Sequence, residues 1–237
     1  VETALAGGDF TVSTAGPGSE PGDITVAGGL AWDAATTLRL EADRDIAIDA
    51  PIAAAAGGLA LDALGDVTTG AGGTVEVGRF DLEGGDWTQL GALPGFAAAD
   101  FRLSPGASFL RATGGSGTDS DPYVLADVYG LQGMEPGSGD FPRASYALAG
   151  DIDASGTAGW NAADGFVPIG TLEEPFDGRL DGRGATVTGL VSRREDASLL
   201  GRTAFATVTD LTLAGVDLSL EIGSFAGGVA SRAFETV

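Results

Sequence analysis

A tetrad recurs with a 21-residue period and limits what this chain can fold into. Leu38-Arg39-Leu40-Glu41 returns as Leu59-Ala60-Leu61-Asp62, then Phe80-Asp81-Leu82-Glu83, then Phe101-Arg102-Leu103-Ser104. The first two copies run on through Asp45-Ile46 and Asp66-Val67. Within each copy large apolar residues alternate with polar or small ones, the period of a half-buried strand. Ile24-x-Val26, Ile46-x-Ile48 and Val75-x-Val77 read the same way, with glycine, proline and aspartate between them, as at Gly16-Pro17-Gly18 and Gly57-Gly58. No segment holds a helical period. The alanine-rich stretch 49–64 is broken by Pro51 and two glycines.

Short strands at one fixed spacing allow an antiparallel sandwich or a parallel β-helix. A sandwich has no reason to repeat its sequence in phase. In a β-helix each coil stacks on the last, so equivalent positions bury the same kind of side chain. The favoured expectation is therefore an all-β fold, a solenoid of about 21 residues per coil. At ~4.8 Å per coil, ~11 coils would span on the order of 50 Å.

The period predicts three regions. Coils with the 21-residue repeat occupy residues 1–112, and a loop excursion packed on or beside the solenoid occupies 113–145. Two turn-rich stretches, Thr113 to Pro122 and Glu135 to Asp140, mark the excursion. The β-helix then continues over 146–237 and is cut off mid-coil. There Ala185-Thr186-Val187-Thr188-Gly189-Leu190 returns, again with the 21-residue period, as Ala206-Thr207-Val208-Thr209-Asp210-Leu211. Ala204-Phe205-Ala206-Thr207-Val208 returns at a longer spacing as Ala233-Phe234-Glu235-Thr236-Val237, with the extra length assigned to corners in 215–228. The remainder of a longer chain of its own is thus an expected neighbour.

Composition removes most catalytic chemistry. The 237 residues include no cysteine, histidine or lysine, and all 12 basic residues are arginine. That excludes Ser-His-Asp triads, HExxH zinc sites, disulfides, Schiff bases, a P-loop lysine and Lys–Asn isopeptide crosslinks. With 34 carboxylates the net charge is −22, which repels nucleic acid and anionic membrane surfaces. No apolar stretch is long enough to span a bilayer, and VETALAGGDF lacks the parts of a signal peptide.

Several clusters invite a functional reading beside a plain one. Gly114 to Ser120 matches the start of a calcium nonapeptide, which would use Asp119 and Asp121. Asp121 stands where an aliphatic residue is needed, and no tandem copy follows, so a plain acidic loop is favoured. Asp151 and Asp153 resemble the opening of an EF-hand loop, but position twelve falls on Ala162. A strand and turn is favoured there, so no metal or other cofactor is expected and calcium is the reserve. Asp177 and Asp181, beside Arg179 and Arg183, have the residue types of an acid–base pair, and the plain reading is two Asp-Gly turns. Trp32, Trp87, Trp160, Tyr123, Tyr129 and Tyr146 offer faces for sugar rings but serve equally as core. Arg193-Arg194-Glu195-Asp196 reads as a solvated corner.

The second half resembles a known family. Gly165-Phe166-Val167-Pro168-Ile169-Gly170, Pro175-Phe176-Asp177-Gly178-Arg179-Leu180-Asp181-Gly182-Arg183-Gly184 and the two ATVT copies look like GLUG-type repeats. Leu199-Leu200-Gly201 and Thr212-Leu213 continue the pattern, and Ile222 to Ala230 looks like its glycine-rich close. Gly115 to Tyr123 resembles the segment that often precedes such repeats. Asp127-Val128-Tyr129-Gly130-Leu131-Gln132-Gly133-Met134 is similar to filamentous-haemagglutinin-type exoproteins. This resemblance implies a right-handed parallel β-helix in a secreted or surface-anchored bacterial adhesin, often exported by two-partner secretion. With Asn161 as its one asparagine, the chain does not resemble that family's asparagine-rich secretion domain. It reads as a non-enzymatic stalk that supports adhesion or biofilm formation. The alternatives are a module for surface glycan or a host receptor, seated on the corners at 113–121 and 215–228, and a polysaccharide-cleaving enzyme.

Overall fold

Where large apolar residues repeat in register, parallel strands stack them in columns. A computed structural model of the chain describes residues 1–16, 22–134, 141–219 and 226–234. The described chain is a parallel β-solenoid of about 9 turns, spaced about 22 residues per turn. It divides into two compact units, Val1–Phe109 and Leu110–Val237.

The first unit starts with a short helix, α1 (Glu2–Leu5), followed by β1 (Phe10–Ser13), β2 (Ile24–Val26) and β3 (Leu30–Ala31). Next come β4 (Thr37–Ala42), β5 (Ile46–Ile48), β6 (Ile52–Thr69), β7 (Val75–Leu90) and β8 (Phe96–Leu103). The expected tetrads stack as written. Leu38 pairs with Leu59, Leu59 with Phe80 and Phe80 with Phe101. A further copy sets Phe10 over Leu38; a longer corner separates the two, which hides it from the regular repeat. Leu38, Leu59, Phe80 and Phe101 are all essentially fully buried. From Ile52 on, the alanine-rich stretch becomes part of β6, a single strand whose ladder to β7 shifts register between Ala54 and Gly58, Leu61 and Asp62, and Asp62 and Asp66. Five rings, Phe80, Trp87, Phe96, Phe101 and Phe109, fill the later coils with centroids 5.0 to 6.3 Å apart.

The outer face carries arginines between carboxylates. Arg39 donates to Glu41 at 2.5 Å, pairs with Glu83, and approaches Asp62 at 3.5 Å. Hydrogen bonds to Glu83, then to Glu41, hold its guanidinium well above the usual arginine range. Corners use a second device. Asp45 Oδ1 accepts from the backbone N–H of Asp66 at 2.9 Å, and Asp9 Oδ1 from Thr37 at 2.7 Å. Each carboxylate thus satisfies a donor of the next coil where the backbone ladder turns away.

β9 (Ser108–Ala112) spans the boundary between the units. In the second unit come β10 (Tyr123–Leu125), α2 (Val128–Gln132), β11 (Ser145–Leu148) and β12 (Ile152–Asp153). They are followed by β13 (Arg179–Asp181), β14 (Thr186–Thr188), β15 (Val191–Ser192) and β16 (Leu200–Ala204). The last strands are β17 (Thr207–Thr209), β18 (Thr212–Ala214), β19 (Asp217–Leu218) and β20 (Ala230–Phe234). The order β10-β11-β13-β17 forms the longest parallel sheet of this unit.

Two expectations change here. The stretch 113–145, expected as an excursion, also contributes coil structure, because β10 pairs in parallel with β11. α2 then takes a strand's place. Gln132 both donates to Val167 O at 3.0 Å and accepts from Val167 N at 2.9 Å, as a ladder residue would. The second change is that the ATVT repeat does not stack on itself. Val187 pairs with Leu213, while Val208 pairs with Leu180. The two copies lie in different sheets. What they share is local: a three-residue strand leading to a left-handed residue, Gly189 at φ 76° and Asp210 at φ 50°. Inserted corners, such as the 3-10 turns at Ser155–Gly159 and Asn161–Ala163, make the coils uneven. Tyr123 meets Tyr146 across a short coil, whereas Ile152 meets Val187 across a much longer one. This is why about 9 turns form where a uniform 21-residue coil implies more. The last sequence copy pairs one position out of its repeat, Ala204 with Phe234, and its positions 235–237 lie outside the described residues. So do the turn-rich stretch 135–140, most of Gly16-Pro17-Gly18, and positions 222–225 of the glycine-rich close.

Candidate functional site

The aromatic candidates are mostly structural. Trp32, Trp87 and Trp160 are 6%, 0% and 1% exposed, and Tyr146 is equally buried. None of these four can offer a ring face to a sugar. Trp32 Nε1 donates to Thr36 O at 3.0 Å. Trp160 stacks on the half-buried Tyr129 with centroids 5.1 Å apart. Tyr123 packs against Tyr146 at 5.8 Å.

The acidic candidates hold turns together. Asp119 Oδ1 accepts from Ser145 Oγ at 2.5 Å, and Asp121 closes a bridge with Thr118. Asp121 O accepts from Ser116 N at 2.9 Å. Asp151 Oδ1 accepts from Thr186 N at 2.8 Å, the same coil-to-coil tie made by Asp9 and Asp45. Asp153 Oδ1 accepts from Ser155 N at 2.9 Å, and that backbone bond holds its carboxyl below the usual range. Among the described residues, no three carboxylates are grouped to hold a metal ion.

Asp177 and Asp181 enter separate contacts. Asp177 lies 3.6 Å from Arg143 Nε. Asp181, on β13, accepts from Arg183 N at 2.9 Å and from Thr209 Oγ1 at 3.5 Å. Arg183 itself sits at φ 52°, so the pair Asp181-Gly182 belongs to a tight turn.

The expectation of a solvated corner at 193–196 fails at its last residue. Asp196 is buried, at φ 58°, between Arg202 Nε at 2.9 Å and Arg232 Nε at 3.1 Å. Two guanidiniums offset the cost of burying one carboxylate. Nothing in an Arg-Arg-Glu-Asp run signals this, because both partners come from later strands.

That buried cluster forms one wall of a cleft of about 330 Å³. Ile169 and Phe176 are both bridged in parallel to β16, and residues 170–175 loop out between them. Thr171 closes the loop, donating from its N to Glu174 O at 2.9 Å and accepting Glu174 N on Oγ1 at 3.0 Å. Leu172 and Glu173 therefore sit at the loop tip, and they line the cleft together with Arg194 and Glu195. Gly201 is on the floor, where a Cβ would meet Gly170 O at 2.8 Å. Sequence reading missed this cleft.

Comparison with known proteins gives one informative likeness. The chain is 35% identical over 133 residues to halomucin of Haloquadratum walsbyi, across 48% of this chain. The match is 1% of that relative, so the chain spans only a very small part of its length. No family model matches the chain, so neither the filamentous-haemagglutinin nor the GLUG likeness is shown at family level. No solved structure matches it. Among the described residues, no helix is long and apolar enough to cross a membrane.

Proposed function

We propose that this chain is a structural display segment of a large surface-associated protein, acting mechanically and without catalysis. The observation that carries the reading is the unbroken column Phe10, Leu38, Leu59, Phe80 and Phe101, joined by parallel ladders at every step. A stack of this kind resists local opening, because each coil is hydrogen-bonded on both sides and buries apolar surface against its neighbours. The likeness to halomucin, whose length dwarfs this segment, supports the setting in a large surface protein. A net charge of −22 keeps such a chain soluble and discourages edge-to-edge pairing. Within this reading, service as the stalk of an adhesin, exported and held outside the cell, is the specific role we favour. The segment works without a cofactor, and carboxylates such as Asp9, Asp45 and Asp151 tie one coil to the next.

Two experiments test it. Limited proteolysis of the chain should leave fragments that begin and end at corners, with the coils intact. Antibodies raised against the chain should label intact cells of the organism that makes it. Digestion as fast as for an unfolded chain would remove the mechanical role. Labelling only after lysis would remove the surface role.

A further inference from the structure

The cleft beside β16 has a ligand chemistry that a purely mechanical segment does not need. Its volume, about 330 Å³, lies at the lower end of small-molecule sites. Its lining mixes signs: Arg194 and Arg202 share it with Glu173, Glu195 and Asp196. Asp196 is already committed to Arg202 and Arg232. Arg194 is only partly committed. Its terminal nitrogen is 3.6 Å from Asp164, a long ion pair, and the side chain is 32% exposed. A guanidinium so loosely paired and partly open can donate to a group bound in the cleft.

The lining decides which ligand fits. An anion would meet Glu173 and Glu195, on a chain that carries −22 overall. A cation would meet two guanidiniums. A hydroxyl can accept from Arg194 and donate to a glutamate at once. Leu172, 67% exposed at the loop tip, adds an apolar surface of the kind that packs on the C–H face of a pyranose ring. Gly201 lets the floor pack closely on the segment before the loop, because a Cβ there would meet Gly170 O at 2.8 Å and Pro168 Cβ at 3.0 Å.

We propose that this cleft binds a neutral saccharide, with Arg194 as hydrogen-bond donor, Glu173 and Glu195 as acceptors, and Leu172 as the apolar platform. This goes beyond the mechanical role and gives the display segment a glycan contact of its own. It also moves that contact away from the acidic loop at 113–121 and onto the 170–175 loop.

The test is a nuclear magnetic resonance titration of the full 237-residue chain with galactose, glucose, mannose, N-acetylglucosamine and glucuronate. At least one neutral sugar should saturate the shifts of the Leu172 and Gly201 amides, with a dissociation constant on the order of millimolar. Leu172→Ala, at an exposed position, and Arg194→Gln should each weaken that binding about tenfold. If Arg194→Gln disturbs folding, Leu172→Ala decides alone. The proposal is overturned if no neutral sugar saturates the shifts or if Leu172→Ala binds as the parent does. Glucuronate binding more tightly than glucose would also overturn it, since the site would then select an anion.

Discussion

Replacing Phe80 by alanine tests the stacked core directly. Phe80 is fully buried, parallel to Phe101 at 5.5 Å, and edge-on to Trp87, Phe96 and Phe109 at 5.5, 5.0 and 6.3 Å. Losing the burial of such a ring costs about 2 kcal/mol in transfer free energy. The cavity it leaves, walled by four other rings that cannot all close inward, raises the total to about 4 kcal/mol. Phe205→Ala is the control, because that ring is 67% exposed and its removal should change stability by less than about 0.5 kcal/mol. Urea denaturation followed by tryptophan fluorescence reads the difference, since Trp87 lies in the same ring cluster. Hydrogen exchange locates it: protection should fall first on the flanking strands at Leu59 and Phe101, because coils lean on their neighbours. A loss below about 1 kcal/mol in Phe80→Ala, or one no larger than in Phe205→Ala, would refute the reasoning.

Four further outcomes are expected. Phe205→Gly should stabilise the chain by about 0.5–1 kcal/mol, because Phe205 sits at φ 60° with its ring in solvent; thermal denaturation checks this. Burial, and secondarily Tyr123, pushes the Tyr146 phenol above its ordinary value of 10.0, so its folded form holds the proton more tightly than the unfolded chain does. The stability this gives is full below that value and is lost as pH rises towards the folded pKa. An ultraviolet titration should therefore show Tyr146 ionising only as the fold opens. Calcium should leave the melting temperature unchanged, since Asp119, Asp151 and Asp153 are engaged in turn and coil-to-coil hydrogen bonds; a calorimetric rise would return these loops to the ion-binding reading. Sodium chloride should raise the melting temperature up to about 1 M, where the Debye length is ~3 Å. At −22, screened repulsion among carboxylates outweighs the weakening of ties such as Arg39–Glu41; a monotonic fall would show the ties dominate.

The fold was legible where the coil is short and regular. Leu38, Leu59, Phe80 and Phe101 stack at the spacing the sequence shows, because corners of constant length preserve phase. Where corners vary, the same reasoning misleads. The two ATVT copies keep the 21-residue period in sequence yet pair with other strands, Val187 with Leu213 and Val208 with Leu180. Their likeness encodes a strand followed by a left-handed residue, a local instruction that any coil can use. Phase is a sum over all intervening corners, and so short a strand carries too little side-chain pattern to correct it.

The same distinction explains why the cleft was hidden. Its walls come from corners, the 170–175 loop and the turn at 193–196, and its floor from the strand β16. Corners escape the alternation that fixes which residues of a strand face inward, so composition alone does not say whether one is buried. Asp196 illustrates this, since it reads as solvent-exposed until Arg202 and Arg232 arrive from β16 and β20. In the first unit the corner carboxylates, Asp9 and Asp45, repair the ladder from one coil to the next. In the second, Asp151 does the same, and a longer corner at 170–175 also encloses space. A solenoid tolerates such growth because a loop that leaves and returns at fixed rungs, here Ile169 and Phe176, leaves the stack unbroken. The stacked column and the variable corner are thus separable parts: the ladders stay paired rung to rung while the corner between Ile169 and Phe176 takes a shape of its own.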